Sequence, residues 1–192
     1  MRNKLGNLVV IIGIAIIAIG AFGAYQLDKE DAASAVSSLE IISEIEPVIG
    51  TKKVEPGDRS TGDMPEIQMN GLYYIGILEI PSQGLRLPIG DRWTEEAGAK
   101  SPCRYYGSIH DDNLVVCGHN NRAHFSKIKN LKPGDEVLFT DVTGEQYNYT
   151  VLSGEKIEAS GITEMVTGDW DMTLFTCTFR GEARYAIRLT KI

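Results

Sequence analysis

The chain has 192 residues, of which 43% are hydrophobic, and this fits one ordinary globular domain together with an additional segment. Its formal net charge is −7, whereas a nucleic-acid-binding surface must be basic to neutralise phosphates, so nucleic acid is excluded as a partner. Three cysteines are too few for a disulfide scaffold, and their odd number leaves at least one free thiol.

An uncharged, apolar stretch runs from Leu5 to Leu27. It is long enough for a helix that crosses the bilayer core, which takes roughly 20 residues. Arg2 and Lys4 precede it and acidic residues follow it. The positive-inside rule therefore predicts a single-pass anchor in the cell membrane, with residues 1–4 in the cytoplasm. A cleaved signal peptide is the alternative, but its apolar region usually has only about 7–15 residues.

Residues 28–70 are predicted to form an extracytoplasmic stalk. Apolar residues at helical spacing indicate a short helix over residues 31–46, which Pro47 would end. Residues 51–65 contain Gly, Pro and mixed charges without periodicity, which is typical of a linker. The stalk would hold the next domain away from the membrane, unless its helix packs against that domain instead.

From residue 71 onward, short runs of strand-forming residues alternate with turns. Tyr147, Tyr149 and Val151 alternate with polar residues, which predicts a strand with one buried and one exposed face. Residues 184–190 alternate in the same way, with Arg184 and Arg188 on the polar face. Helical patterns are confined to residues 93–100 and 124–131. Many short strands of this kind predict one small, closed, all-β domain. The eight runs are 73–80, 85–89, 103–107, 114–118, 136–141, 146–157, 172–178 and 184–191.

Among the cysteines, Cys177 has the setting of a nucleophile. It ends an apolar strand, and Arg184 follows on the next strand, where a positive charge would favour the reactive thiolate. Cys103 lies beside a proline at a strand start, and Cys117 lies within an apolar strand, so both are predicted to be structural. Cys103 and Cys117 could pair as a disulfide if their strands are neighbours.

His119 is the candidate acid–base residue because it follows a strand and a glycine, which would place its imidazole at the rim of the sheet. His110 lies in a polar loop, and His124 is predicted to begin a short helix. A zinc site at Cys117, His119 and His124 is not predicted, because structural zinc sites usually have two paired ligand clusters and only one Cys-x-His is present.

Three stretches resemble the sortases, the membrane-anchored cysteine transpeptidases of Gram-positive bacterial surfaces. Residues 173–177 (TLFTC) resemble the T-L-x-T-C signature, residues 118–120 (GHN) resemble the strand-end glycine and histidine, and residues 182–185 (EARY) resemble the strand that carries the arginine. The resemblance covers about residues 72–192. Further matches lie in residues 74–81 (YIGILEIP) and 131–137 (LKPGDEV).

The resemblance implies an eight-stranded sortase β-barrel over residues 71–192. Cys177 would cleave a sorting signal such as Leu-Pro-x-Thr-Gly and form a thioacyl enzyme. An amine of a peptidoglycan precursor or of a pilin would then take the acyl group, so that a surface protein becomes anchored. By the same resemblance, His119 is the general acid–base, Arg184 stabilises the oxyanion or positions the substrate, and Thr176 is a secondary substrate contact.

No cofactor or metal is expected, and calcium dependence stays open. Calcium is bound by carboxylate oxygens. The candidate ligands are acidic residues in loops or at strand ends, namely Glu79, Asp111, Asp112 and Glu158.

Two other functions remain open at the level of the sequence. A cysteine protease or amidase of another fold would hydrolyse without transfer, but such enzymes usually have the cysteine before the histidine, and here His119 precedes Cys177. A membrane-tethered, non-catalytic barrel would not need Cys177. Arg180 is the next candidate if Arg184 is not the functional arginine. The sortase subclass and the sorting motif also stay open.

Overall fold

The computed structural model describes residues 2–51, 64–178 and 181–192, with side chains from residue 6 onward. The chain forms two compact units, Met1–Ala33 and Ser34–Ile192. The domain boundaries inferred from the sequence stay predictions.

One continuous helix, α1 (Arg2–Ile45), takes the place of the two helical segments expected from the sequence. The residues that join those segments, from Tyr25 to Ala35, include no proline or glycine and several good helix formers, so nothing ends the first helix at Leu27. The large apolar side chains from Leu8 to Leu27 are exposed. Among the described residues, this is the one helix that is long and apolar enough to cross a membrane.

The second unit contains an all-β barrel in which all eight predicted strands are present, preceded by one short additional strand. The strands are β1 (Ile67–Met69), β2 (Leu72–Ile80), β3 (Leu85–Gly90), β4 (Cys103–Tyr106), β5 (Leu114–Gly118), β6 (Glu136–Asp141), β7 (Gln146–Glu158), β8 (Met172–Cys177) and β9 (Ala183–Lys191).

Hydrogen-bonded neighbours follow the order β2-β3-β4-β5-β8-β9-β7-β6, and β6 pairs back onto β2, which closes the eight-stranded barrel. The additional strand β1 pairs with β2 outside this ring. Most neighbours are antiparallel, but β3 with β4 and β5 with β8 are parallel. The parallel pair β5 and β8 brings the ends of both strands to the same edge of the barrel.

Strand β2 is buried on both faces. Its inner face contributes to the barrel core with Ile75 and Leu78. Its outer face, at Tyr74 and Ile77, packs against three isoleucines of α1, which are Ile41, Ile42 and Ile45. The sequence leaves open whether this part of the helix is a free stalk or packs against the domain. Residues 41–45 pack against the barrel.

Strands β5 and β8 are also covered on both faces. Val116 and Leu174 point into the barrel core, whereas Val115, Cys117 and Phe175 form an outer cluster. Met165 of the short helix α3 (Ile162–Val166) packs on this cluster from outside. This outer layer forms one wall of the site described below.

One predicted helix is confirmed and the other is wrong. Helix α2 (Glu95–Lys100) ends at the predicted residue and begins two residues later than predicted, because the Thr94 hydroxyl caps it by accepting a hydrogen bond from Ala97 N at 3.0 Å. His124 does not begin a helix. The Asn121 side chain accepts a hydrogen bond from His124 N at 2.7 Å, which favours turns here, and only a short 3₁₀ segment follows at Ile128–Asn130.

Candidate active site

The strand register brings three of the predicted site residues to one edge of the barrel. Gly118 lies opposite Thr176 in the parallel pair β5 and β8, so the next residues, His119 and Cys177, leave the two strands side by side. In the antiparallel pair β8 and β9, Cys177 lies directly opposite Arg184. Residues opposed in this way have their Cβ atoms about 5 Å apart.

His119, Cys177 and Arg184 line one cavity of about 360 Å³. Glu158 adds a carboxylate to the rim. The rest of the wall is mainly apolar and comes from α3, from strands β4, β5 and β8 and from the loop before α2. The larger apolar side chains that line it are Trp93, Tyr105, Ile162, Met165 and Phe175.

Cys177 and Cys117 both line this cavity, but the three thiols of the chain differ in burial. Cys177 is half-buried, whereas Cys103 and Cys117 are buried. Burial raises the pKa of the Cys103 thiol to about 12 and also raises the pKa of Cys117 well above its usual range. Both therefore stay protonated at ordinary pH. Cys103 lies opposite Cys117 on paired strands, yet both thiols are free and no disulfide joins them.

His119 is exposed at the end of β5, and its backbone and ring are both held by neighbours. Its carbonyl oxygen accepts a hydrogen bond from Phe125 N at 3.0 Å. Gly118 allows this close turn, because a Cβ atom there would lie 2.7 Å from a ring carbon of Phe125. The imidazole lies 5.0 Å from the Trp93 ring in an edge-on arrangement and 6.2 Å, nearly parallel, from the His124 ring, between centroids.

Arg184 is half-buried, and its guanidinium is partly held by the turn beside it. Nη1 donates hydrogen bonds to the carbonyl oxygens of Gly181 at 3.0 Å and Ala183 at 3.2 Å. Nε and Nη2 make no hydrogen bond with any residue that the structure describes. The alternative candidate, Arg180, lies outside the described residues.

Thr176 is not brought together with the other three residues. Its side chain is buried, and its hydroxyl donates a hydrogen bond to the carbonyl oxygen of Gly118 at 2.7 Å. This bond joins the end of β8 to the end of β5, between the nucleophile and the histidine. The structure thus places Thr176 behind the cavity rather than in its wall.

Arg188 supports the site in a way that the sequence did not indicate. The alternation of β9 predicts that Arg188 shares the exposed face of Arg184, but Arg188 is only 1% exposed. Its guanidinium donates to the carbonyl oxygens of Glu164 at 2.6 Å and Met165 at 3.0 Å, and to the Thr173 hydroxyl at 2.8 Å. It therefore fixes helix α3, which carries part of the cavity wall.

Among the residues that the structure describes, no three His, Cys, Asp or Glu side chains are close enough together to hold a metal ion.

Comparison with known proteins adds a family to this geometry. A model of the sortase domain matches residues 78–191. Comparison with curated protein sequences finds no match. The match to the sortase-domain model covers more than half of the chain, and it includes His119, Cys177 and Arg184.

Solved sortase structures share the fold. The sortase D5 transpeptidase of Clostridium perfringens is similar over 82% of this chain and 99% of its own, with 20% sequence identity and a TM-score of 0.65. The pilus island 1 sortase C2 of Group B Streptococcus is similar over 81% and 97%, with 21% identity and a TM-score of 0.57. A lid mutant of sortase A from Corynebacterium diphtheriae matches 62% and 70%, with 20% identity and a TM-score of 0.54. The closed barrel, the cavity at its edge and the match of the family model lead to one conclusion: the chain belongs to the sortase family of cysteine transpeptidases.

Proposed function

We propose that Cys177, His119 and Arg184 carry out the transpeptidation of this sortase, in two acyl-transfer steps. The observation that supports this most directly is that the three residues, which lie at or next to the ends of three different strands, line one cavity. Cys177 is also the half-buried thiol of the three. Cys117 lines the same cavity, but it is buried like Cys103, and burial disfavours the thiolate of both.

In the first step, the Cys177 thiolate attacks the carbonyl carbon of the scissile peptide bond and forms a tetrahedral oxyanion. The C–N bond then breaks, His119 gives a proton to the departing amine, and a thioester to Cys177 remains. In the second step, an incoming amine attacks the thioester carbonyl and loses a proton to His119. The C–S bond breaks, a new amide forms, and the thiolate of Cys177 is restored.

Arg184 stabilises the oxyanion in both steps. A guanidinium has five N–H donors, and Arg184 uses one terminal nitrogen on the carbonyl oxygens of its own turn. Nε and Nη2 are left to bind oxygen, and the strand pairing of Arg184 with Cys177 supports a role at the reacting carbonyl. A donor that is fixed before the reaction lowers the barrier because it need not reorient as charge develops.

The substrate is a sorting signal of the Leu-Pro-x-Thr-Gly type on a surface or pilin protein, and the acceptor is an amine of the cell wall or of a pilin. The apolar wall of the cavity suits the apolar residues of such a signal. Two solved relatives, a sortase D5 transpeptidase and a pilus island 1 sortase C2, support this class of substrate.

The enzyme is anchored in the cell membrane by α1, with residues 1–4 in the cytoplasm and the barrel on the outer side. The exposed apolar side chains of α1 from Leu8 to Leu27 and the basic residues before that stretch support this orientation. Both substrates would then reach the enzyme at the outer face of the membrane.

The test uses the full chain in mild detergent with a library of sorting-signal peptides, with and without triglycine or a diaminopimelate-containing amine. Mass spectrometry of the products should show a new amide that needs the amine and the Cys177 thiol. Cys103→Ala serves as the matched control and should keep the activity. Release of the free acid alone at every amine concentration would refute transfer and would favour a hydrolase.

A further inference from the structure

Trp93 has an unusual position for a large apolar side chain. It is 39% exposed, it lines the cavity, and its ring centroid lies 5.0 Å from that of His119 at an interplanar angle of 66°. Edge-to-face contacts of this distance and angle are the favoured geometry for aromatic rings. The indole thus contacts the acid–base residue directly, from a loop that is far from it in sequence.

The loop that carries Trp93 is firmly held on its N-terminal side. Asp91 is buried and forms an ion pair with the Arg104 guanidinium. Arg104 Nε also donates to the backbone oxygen of Asp91 at 2.9 Å, and Asp91 N donates to the Tyr73 oxygen at 2.8 Å. A buried charge with this many partners fixes the backbone two residues before Trp93.

The C-terminal side of the loop is held by α2, whose first turn is capped by Thr94. The indole also packs on the backbone of this helix at Gly98, where a Cβ atom would lie 2.6 Å from the Cη2 atom of Trp93. Gly98 lies within the helix and has no left-handed backbone angle, so its φ does not require glycine. The glycine makes room for the Trp93 ring.

We propose that Trp93 is a positioning residue for His119: its indole restricts the imidazole to the orientation that faces Cys177 across the cavity. The inference rests on the acid–base role proposed for His119. An exposed imidazole rotates freely about two side-chain bonds, and each wrong orientation is unable to transfer the proton. Trp93 on one side and His124 on another leave the ring fewer orientations.

Because His119 acts in both steps, loss of its orientation slows both steps and leaves the affinity for the peptide largely unchanged. For Trp93→Leu in the full chain, we expect kcat to fall about tenfold to hundredfold, with KM within about threefold of wild type. Trp93→Phe keeps an aromatic ring and should recover part of kcat.

Tyr105→Leu is the matched control. Tyr105 is also an exposed aromatic residue that lines the cavity, but its ring packs on Phe175, 5.2 Å away, rather than on His119. We expect this variant to raise KM with little change in kcat, because it alters the wall and leaves the imidazole in place.

Gly98→Ala tests the same idea without changing any residue of the cavity. Alanine is the better helix former, so if Gly98 served only as a residue of α2, Gly98→Ala would fold and turn over substrate normally. The new methyl group instead displaces the indole, and we expect kcat to fall in the same direction as in Trp93→Leu. Adding Gly98→Ala to Trp93→Leu should cause no further loss, since leucine no longer fills that space.

NMR of selectively labelled histidines supplies a readout of orientation. The ring signals of His119 should shift in Trp93→Leu and in Gly98→Ala, while those of His110 stay in place. Wild-type kcat in Trp93→Leu, or a change confined to KM, overturns the inference. His119→Gln separates this failure from a wider one: if that variant keeps wild-type kcat, the proposed acid–base role itself is wrong.

Discussion

Replacing Arg188 with methionine should destabilise the barrel strongly, although the residue lies on the face of β9 that the sequence predicts to be exposed. Methionine keeps most of the apolar stem and removes the guanidinium. The change leaves the carbonyl oxygens of Glu164 and Met165 and the Thr173 hydroxyl without their donor. It also removes the guanidinium from the face of the Trp170 ring, 3.9 Å from the ring centroid.

The size of the effect follows from which partners stay buried. Glu155, which accepts from Arg188 Nε at 2.7 Å, is 48% exposed, so water replaces that contact at small cost. The other three acceptors lie against an arginine that is only 1% exposed. Each buried acceptor that loses its donor costs about 1–3 kcal/mol, and three of them in the lower half of this range cost about 3–5 kcal/mol together. We expect the free energy of unfolding to fall by that amount.

Urea unfolding of the full chain in mild detergent measures this loss. Both tryptophans, Trp93 and Trp170, lie in the barrel unit, so intrinsic fluorescence reports on that unit and not on the apolar part of α1. With a slope of about 2 kcal/mol per molar, the midpoint should fall by about 2 M. Arg86→Met is the control, because its ion-pair partners Glu46 and Glu79 are 58% and 38% exposed, and the midpoint should fall by less than about 0.5 M.

A midpoint for Arg188→Met equal to that of wild type would show that water or a neighbouring group replaces the guanidinium, and the role given to Arg188 would fail. A second signature should accompany the loss of stability. The protein that remains folded should have a raised KM for the sorting peptide, because α3 no longer holds its part of the cavity wall.

Three further predictions concern the site itself. At pH 8.5 the folded chain should react quickly with a thiol reagent only at Cys177, because Cys103 and Cys117 are buried and burial raises the pKa of the Cys103 thiol to about 12. Unfolding in urea should make all three thiols reactive. Fast labelling of two or more thiols in the folded chain would refute this prediction. Thr176→Val keeps the shape of the side chain but removes its hydrogen bond to the Gly118 carbonyl oxygen. In urea titrations the free energy of unfolding should fall by about 1–2 kcal/mol, and kcat should fall as well. An unchanged urea midpoint would contradict the role given to this bond. Arg184→Lys replaces a planar donor with a point charge, and kcat should fall about a hundredfold with the peptide and amine assay; wild-type kcat would direct attention to another arginine.

The strands could be predicted, and the candidate site residues could be named, because both depend on local patterns. Alternating residues in β7 and β9 mark the strands, and the motifs around His119 and Cys177 carry the resemblance to sortases. The closed barrel follows from many short strands with turns between them. These features are legible because each is encoded within a few neighbouring residues.

The features that sequence reasoning missed depend on contacts between distant residues. The alternation of apolar and polar residues places Arg188 on the outer face of β9, but α3 covers that face. No pattern in the sequence near Arg188 predicts this helix. Trp93 is an isolated residue before a helix cap, and its contact with His119 exists only because β3, α2 and β5 meet at one edge. The place of Thr176 is a similar case, since alternation along a strand does not say which face opens into a cavity.

The measurement that tests the central claim most directly is the intact mass of the full chain after brief incubation with a sorting-signal peptide in the absence of amine. We expect a mass increase equal to the acyl part of the substrate peptide. The increase should lie on the proteolytic fragment of the enzyme that contains Cys177, and it should disappear when an amine is added. Cys177→Ala should show no increase, while Cys103→Ala and Cys117→Ala should behave as wild type. An adduct that persists in Cys177→Ala, or one that lies on Cys103 or Cys117, would contradict the assignment of the nucleophile.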